Sequence, residues 1–145
     1  MVEIDIVYEG ELHTRATHLP SGDELATDAP KDNQGRGEAF SPTDLLATAL
    51  GTCMLTIMGI VARREAISLE GTKVRVTKEM TATPPRRVAK LTVTFDVPAS
   101  AGISAEQRIK LENAAHTCPV HRSLHPDVEV VTVFIWPAVR EAAVG

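Results

Sequence analysis

Residues 45–61 are apolar around nearly the whole circumference that a helix would present. Leu46, Ala49, Cys53 and Ile57 form one stripe at helical spacing, with Leu45, Leu50, Met54 and Met58 beside it. A surface helix shows one apolar face, whereas a helix apolar all round has to be enclosed. This segment therefore belongs at the centre of a fold or of a dimer. Its start is written in the sequence: Ser41 caps it, Pro42 suits the first helical position, and Asp44 completes a Ser-x-x-acid capping box. Gly51 and Gly59 each cost about 1 kcal/mol of helix propensity relative to alanine and leave room for a close neighbour. Arg63, Arg64 and Glu65 close the run, so we expect it to fall short of a membrane span.

On either side of the helix the period changes from helical to two. Val2, Ile4 and Ile6 predict a strand over residues 2–8, Gly10 a turn, and residues 12–17 and 25–27 two further strands. Residues 28–40 read as a loop, with Pro30, Asn33, Gly35 and Gly37 close together and Lys31 and Arg36 among them. After the helix, Val74 and Val76 place a strand over 72–81. Pro84-Pro85-Arg86-Arg87 breaks the chain, and Leu91, Val93, Phe95 and Val97 place another over 88–97. Ser104 and Gln107 form the capping box of a second helix with the stripe Leu111, Ala114, Ala115 and Cys118, and residues 128–136 are the last strand. Hairpins mixed with helices indicate an α+β fold rather than a doubly wound sheet. No repeat or linker divides the chain, so one domain over 1–145 is expected.

Composition excludes several function classes. Aromatic residues are 3 %, so the core must rest on Val, Ile, Leu, Ala and Met. A net charge of -4 without a long basic block argues against a nucleic-acid partner held through phosphates. The opening MVEIDIVYEGEL is interrupted by acids and does not read as a secretory leader. The expected location is cytoplasmic and reducing, where a disulfide would cycle rather than persist.

The two cysteines carry the chemistry. Cys53 lies within the apolar helix, and Cys118 stands where a helix stops and restarts at Pro119. A thiol attacks a peroxide as its thiolate, aided by a cation or a helix N-terminus, and a second thiol captures the resulting sulfenic acid. Cysteine is also a common small core hydrophobe, so plain packing is the competing role for both. A third reading is a metal held by His116, Cys118, His121 and His125, with His13 and His18 recruited from afar. The chain has no phosphate-binding glycine loop and no G-x-S-x-G elbow, and Arg86 and Arg87 beside two prolines read as a solvated turn.

Two segments, SPTDLLATALGTC and AAHTCPVHRSL, carry a likeness to a known family. The chain resembles the OsmC/Ohr family, the osmotically induced and organic hydroperoxide resistance proteins, over almost its full length. The resemblance implies antiparallel sheets wrapped around a central cysteine-bearing helix in an intertwined homodimer. It also implies reduction of organic hydroperoxides, with Cys53 as the peroxidatic and Cys118 as the resolving cysteine. An external dithiol, lipoyl-type or small, restores the pair, and no bound cofactor, resident metal or membrane is implied. Two positions depart from the pattern. Thr43 stands where the hydroperoxide-resistance branch has a glutamate, with Asp44 the nearest carboxylate. The family's N-terminal arginine maps to Arg15, with His13 and Arg36 as rival positions. A binder of a hydrophobic small molecule at the dimer interface, without catalysis, is the alternative on the same fold.

Overall fold

A computed structural model of the chain describes residues 1–99 and 102–138. The chain divides into two compact units, Met1–Leu46 and a second that starts at Ala47. The first holds a three-stranded antiparallel sheet of β1 (Ile4–Gly10), β2 (His13–His18) and β3 (Glu24–Asp28), in that order. A single 3₁₀ turn, Lys31–Asn33, interrupts the loop that follows. The tight connection between β1 and β2 puts Gly10, Glu11 and Leu12 in the left-handed region, at φ 86°, 54° and 63°. Helix α1 (Pro42–Arg64) begins in this unit and carries Cys53 in the other.

The second unit holds the sheet β4 (Lys73–Met80), β5 (Val88–Asp96) and β6 (Glu129–Ile135), with β4 antiparallel and β6 parallel to β5. A parallel neighbour requires a long crossover, and here it contains α2 (Ala105–Ala115) and the five-residue α3 (Pro119–Ser123). The α+β class expected from the sequence is the one observed. The α2 start is also as expected: Ser104 Oγ accepts from Gln107 N at 3.2 Å, and Ser104 N donates to Gln107 Oε1 at 3.0 Å. Such a reciprocal box satisfies two of the helix's otherwise unpaired amides.

The core of the second unit follows the period of its elements. On β5, Val88, Leu91, Val93 and Phe95 are buried while Thr92 and Thr94 between them are only partly so. The α2 stripe of Leu111, Ala114, Ala115 and Cys118 is buried as its spacing predicts. Phe95 stacks on Phe134 at 4.8 Å between ring centroids. Gly51 marks where α1 meets β4, since a Cβ there would stand 2.7 Å from Val76 Cγ2. Gly59 has no such neighbour, so only the first of the two glycines marks a close approach.

The sequence leaves the buried side of α1 open, and one expectation, on the length of this helix, needs correction. The buried stripe of α1 in this unit is Ala47, Leu50, Gly51, Met54, Met58 and Ala62. The stripe through Leu46, Ala49, Cys53 and Ile57 is half-buried beside it. A helix apolar all round gives the sequence no contrast from which to choose the face, and the close fit at Gly51 chooses it. Helix α1 is also long and apolar enough to cross a membrane by length and composition, with a third of its apolar window buried. Arg63 and Arg64 sit in the last turn and do not shorten the apolar stretch below that length.

Candidate active site

The break in the chain at Pro119 sets Cys118. α2 ends at Ala115, Cys118 N donates to Ala115 O at 3.4 Å, and Cys118 becomes the N-cap of α3. Its sulfur accepts from His121 N at 3.4 Å, and its side chain is fully buried. Cys53, half-buried on α1, lies close enough to Cys118 to shift its thiol, and neither cysteine is in a disulfide. A second link holds the same helices: Lys110 Nζ on α2 donates to Glu65 Oε1 just beyond α1 at 3.1 Å. The hydrogen bond that Lys110 donates to Glu65, with the negative charge of that carboxylate, raises the Lys110 pKa.

Burial, first of all, pushes the Cys118 thiol above its ordinary pKa. The neighbouring Cys53 pushes it further, against the His121 and Val120 amides, which favour the thiolate. Burial and the neighbouring Cys53 therefore both favour the protonated form of Cys118. The arrangement offers a reachable sulfur on α1 and a protonated, enclosed sulfur next to it. This is the order needed when one thiol meets an oxidant and the other follows.

The remaining expected residues lie in the first unit. Asp44 closes the capping box of α1: Ser41 N donates to Asp44 Oδ2 at 2.9 Å and Asp44 N to Ser41 Oγ at 3.1 Å. Thr43 is half-buried, with its hydroxyl 3.2 Å from that of Ser41. Arg15 on β2 pairs with two carboxylates, Nε to Glu9 at 3.2 Å and Nη1 to Glu24 at 3.5 Å. Arg36 pairs with Glu11 at 3.3 Å. His13 lies beside Asp28 and Glu38.

The histidines around Cys118 do not converge on it. His116 packs edge-on against Phe134 and faces Thr132, and His125 turns to Asp127. Among the described residues, the His13, Asp28 and Glu38 group is the one set of three or more with metal-ligand spacing, so the Cys118-centred metal reading is not supported. Asp28, the one buried acid among the described residues, carries no local signal in the sequence. Backbone N–H donation from Glu38, above all, holds its carboxyl below the usual range against the opposing effect of burial, with His13 and the Ala29 and Arg36 amides assisting.

The family model described as OsmC-like protein matches residues 35–133, a span that contains both cysteines. A crystal structure from Psychrobacter arcticus 273-4, provisionally described as an osmotic stress induced and detoxification response protein, is 46 % identical. It covers 93 % of this chain and 96 % of its own, with a TM-score of 0.87. An organic hydroperoxide resistance protein OsmC from Legionella pneumophila shares the fold at 20 % identity and a TM-score of 0.72, covering 92 % of this chain and 96 % of its own. An organic hydroperoxide resistance protein from Vibrio cholerae, also provisionally described and with captopril in one active site, does so at 18 % and 0.70, covering 91 % and 90 %. No curated protein matches the chain. With the paired thiols, the fold and these matches in agreement, the chain belongs to the OsmC-like protein family.

Proposed function

We propose that the protein is a thiol-dependent peroxidase that reduces organic hydroperoxides to alcohols. The observation that carries this reading is the proximity of Cys53 and Cys118, one half-buried and the other enclosed. The Cys53 thiolate attacks the terminal oxygen of ROOH, the O–O bond breaks, and the alkoxide takes a proton and leaves as ROH. Cys53 is then a sulfenic acid. Cys118 attacks its sulfur, the S–O bond breaks, and hydroxide leaves as water with the Cys118 proton, giving a Cys53–Cys118 disulfide. An external dithiol, lipoyl-type or small, reduces the disulfide by exchange and becomes oxidised itself.

In this cycle the raised pKa of Cys118 keeps it from competing for the first oxidation, and apolar neighbours of Cys53 such as Leu50 and Ile57 favour an alkyl peroxide over hydrogen peroxide. Arg15 supplies positive charge to the developing alkoxide, which requires it to exchange one of its carboxylate partners for the substrate. Asp44 acts as a positioning residue, holding the start of α1. A cytoplasmic, reducing setting keeps both thiols free between turnovers. The working unit is a homodimer, supported by the two-thirds of the α1 apolar window that is half-buried or exposed in one chain. Thr52 and Thr56 on its outer face turn their hydroxyls onto carbonyls one turn back, each at 2.8 Å, and so present mainly methyl groups outward.

Turnover of cumene hydroperoxide with dihydrolipoamide tests the reading. Cys53→Ser should lower the rate by at least about 10³-fold, since the nucleophile is lost. Cys118→Ser should keep a single rapid turnover, leave a sulfenic acid that dimedone traps, and lose sustained turnover with the dithiol. Wild-type thiols that survive excess peroxide would instead favour a non-catalytic binder of a hydrophobic molecule.

A further inference from the structure

We propose that His13, Asp28 and Glu38 form a site for one divalent transition-metal cation, of which zinc is the best fit, distinct from the cysteine pair. The β2–β3 register sets His13 directly opposite Asp28. The following loop then folds back along β3: Asp28 N donates to Phe40 O at 3.1 Å, and Thr27 bridges Phe40. That return brings Glu38 alongside, where its N–H donates to Asp28 Oδ2 at 3.0 Å. One carboxylate oxygen of Asp28 is thereby fixed. The other, Oδ1, is buried and has no hydrogen-bond partner. A buried carboxylate oxygen left without a donor is costly, and native proteins rarely leave one so.

The surrounding atoms suit a cation. His13 Nε2 is 3.5 Å from Asp28 Oδ1 and 3.6 Å from Glu38 Oε2, and the ligand atoms of the three residues all lie within 4.8 Å of one another. Ligands about 2.1 Å from a tetrahedral zinc stand about 3.4 Å apart. A charge-assisted hydrogen bond between imidazole and carboxylate would instead close to about 2.8 Å. One imidazole nitrogen and two carboxylates neutralise a divalent ion, and the nitrogen selects against magnesium and calcium, which favour all-oxygen sites. Side-chain exposure grades from 0 % at Asp28 through 24 % at His13 to 60 % at Glu38, so the site opens toward solvent, giving a way in and room for water as a further ligand. A bound cation would join β2, β3 and the returning loop at one point.

The test is a zinc titration of the chelator-treated full chain in a Cys53→Ser/Cys118→Ser background, against a chromophoric chelator. That background removes thiolate binding and leaves the result independent of the peroxidase reading. One zinc per chain with a micromolar or tighter Kd is expected. Glu38→Gln, at an exposed position that leaves the fold intact, should weaken binding at least tenfold, and His13→Gln at least a hundredfold. Zinc should protect the 29–40 loop from proteolysis in the parent and not in the variants. Absence of saturable 1:1 binding, or equal affinity in parent and variants, overturns the proposal.

Discussion

In β5 the period-two pattern buries Val88, Leu91, Val93 and Phe95, whereas in β1 a similar alternation buries nothing, with Ile4 and Ile6 57 % and 67 % exposed. The contrast extends to the whole of each unit. Every apolar side chain buried among the described residues lies in the second unit, and the buried residues of the first are Thr27, Asp28 and Ser41. Periodicity specifies which side chains share a strand face. It does not specify what covers that face. For β5 the cover is within the unit itself. For β1 and for the outward face of α1 the apolar side chains stay exposed, and the proposed homodimer would cover them with a second copy of the chain.

Substitutions that strike the two sheets differently are the sharpest way to break this contrast. Phe95→Ala should cost about 3–5 kcal/mol in urea unfolding, as a cavity in a closed core. Ile6→Asp should cost far less per chain but raise the monomer fraction in sedimentation. Equal losses of stability at the two positions, with no change of mass, would remove the distinction. Gly51→Ala, which drives a methyl against Val76, should cost about 1–3 kcal/mol and leave the mass in sedimentation unchanged.

The pH dependence of the second unit supplies a smaller effect with a definite sign. Because Cys118 has a raised pKa when folded, the unfolded thiol loses its proton first. The contribution of this group to stability is full below its ordinary value of 9.0 and is lost as pH rises from there through the folded pKa. The slope reaches at most about 1.4 kcal/mol per pH unit. Reduced Cys118→Ser protein should lack this alkaline decline, as denaturant midpoints between pH 7 and about 10 will reveal. Smallest of all, Ser104→Ala should cost about 1 kcal/mol through loss of the α2 cap, with peroxide turnover retained.

How much of this was legible in the sequence depended on whether the signal was local. The capping boxes at Ser41 and Ser104, the alternation of β5, and the break at Cys118 are each encoded within a few residues, and each was found where its chemistry predicts. The meeting of Cys53 with Cys118 is non-local, and it was expected because the resemblance supplied a fold. The buried face of α1 is not legible because a helix apolar all round carries no polar contrast. Asp28 and Glu38 were invisible for another reason. Their meeting with His13 depends on cross-strand register and on a loop that returns along β3, and neither leaves a spacing pattern in the chain.

The central claim is that the two sulfurs act as one redox unit, and a stoichiometric oxidation tests it most directly. Reduced protein is treated with one equivalent of cumene hydroperoxide per chain, residual thiols are alkylated, and the peptides are mapped by mass spectrometry. The account predicts that both thiols disappear together and that a peptide containing Cys53 is joined to one containing Cys118 from the same chain. Peroxide consumed at an undiminished rate with no such crosslink, or both cysteines recovered alkylated, would contradict it.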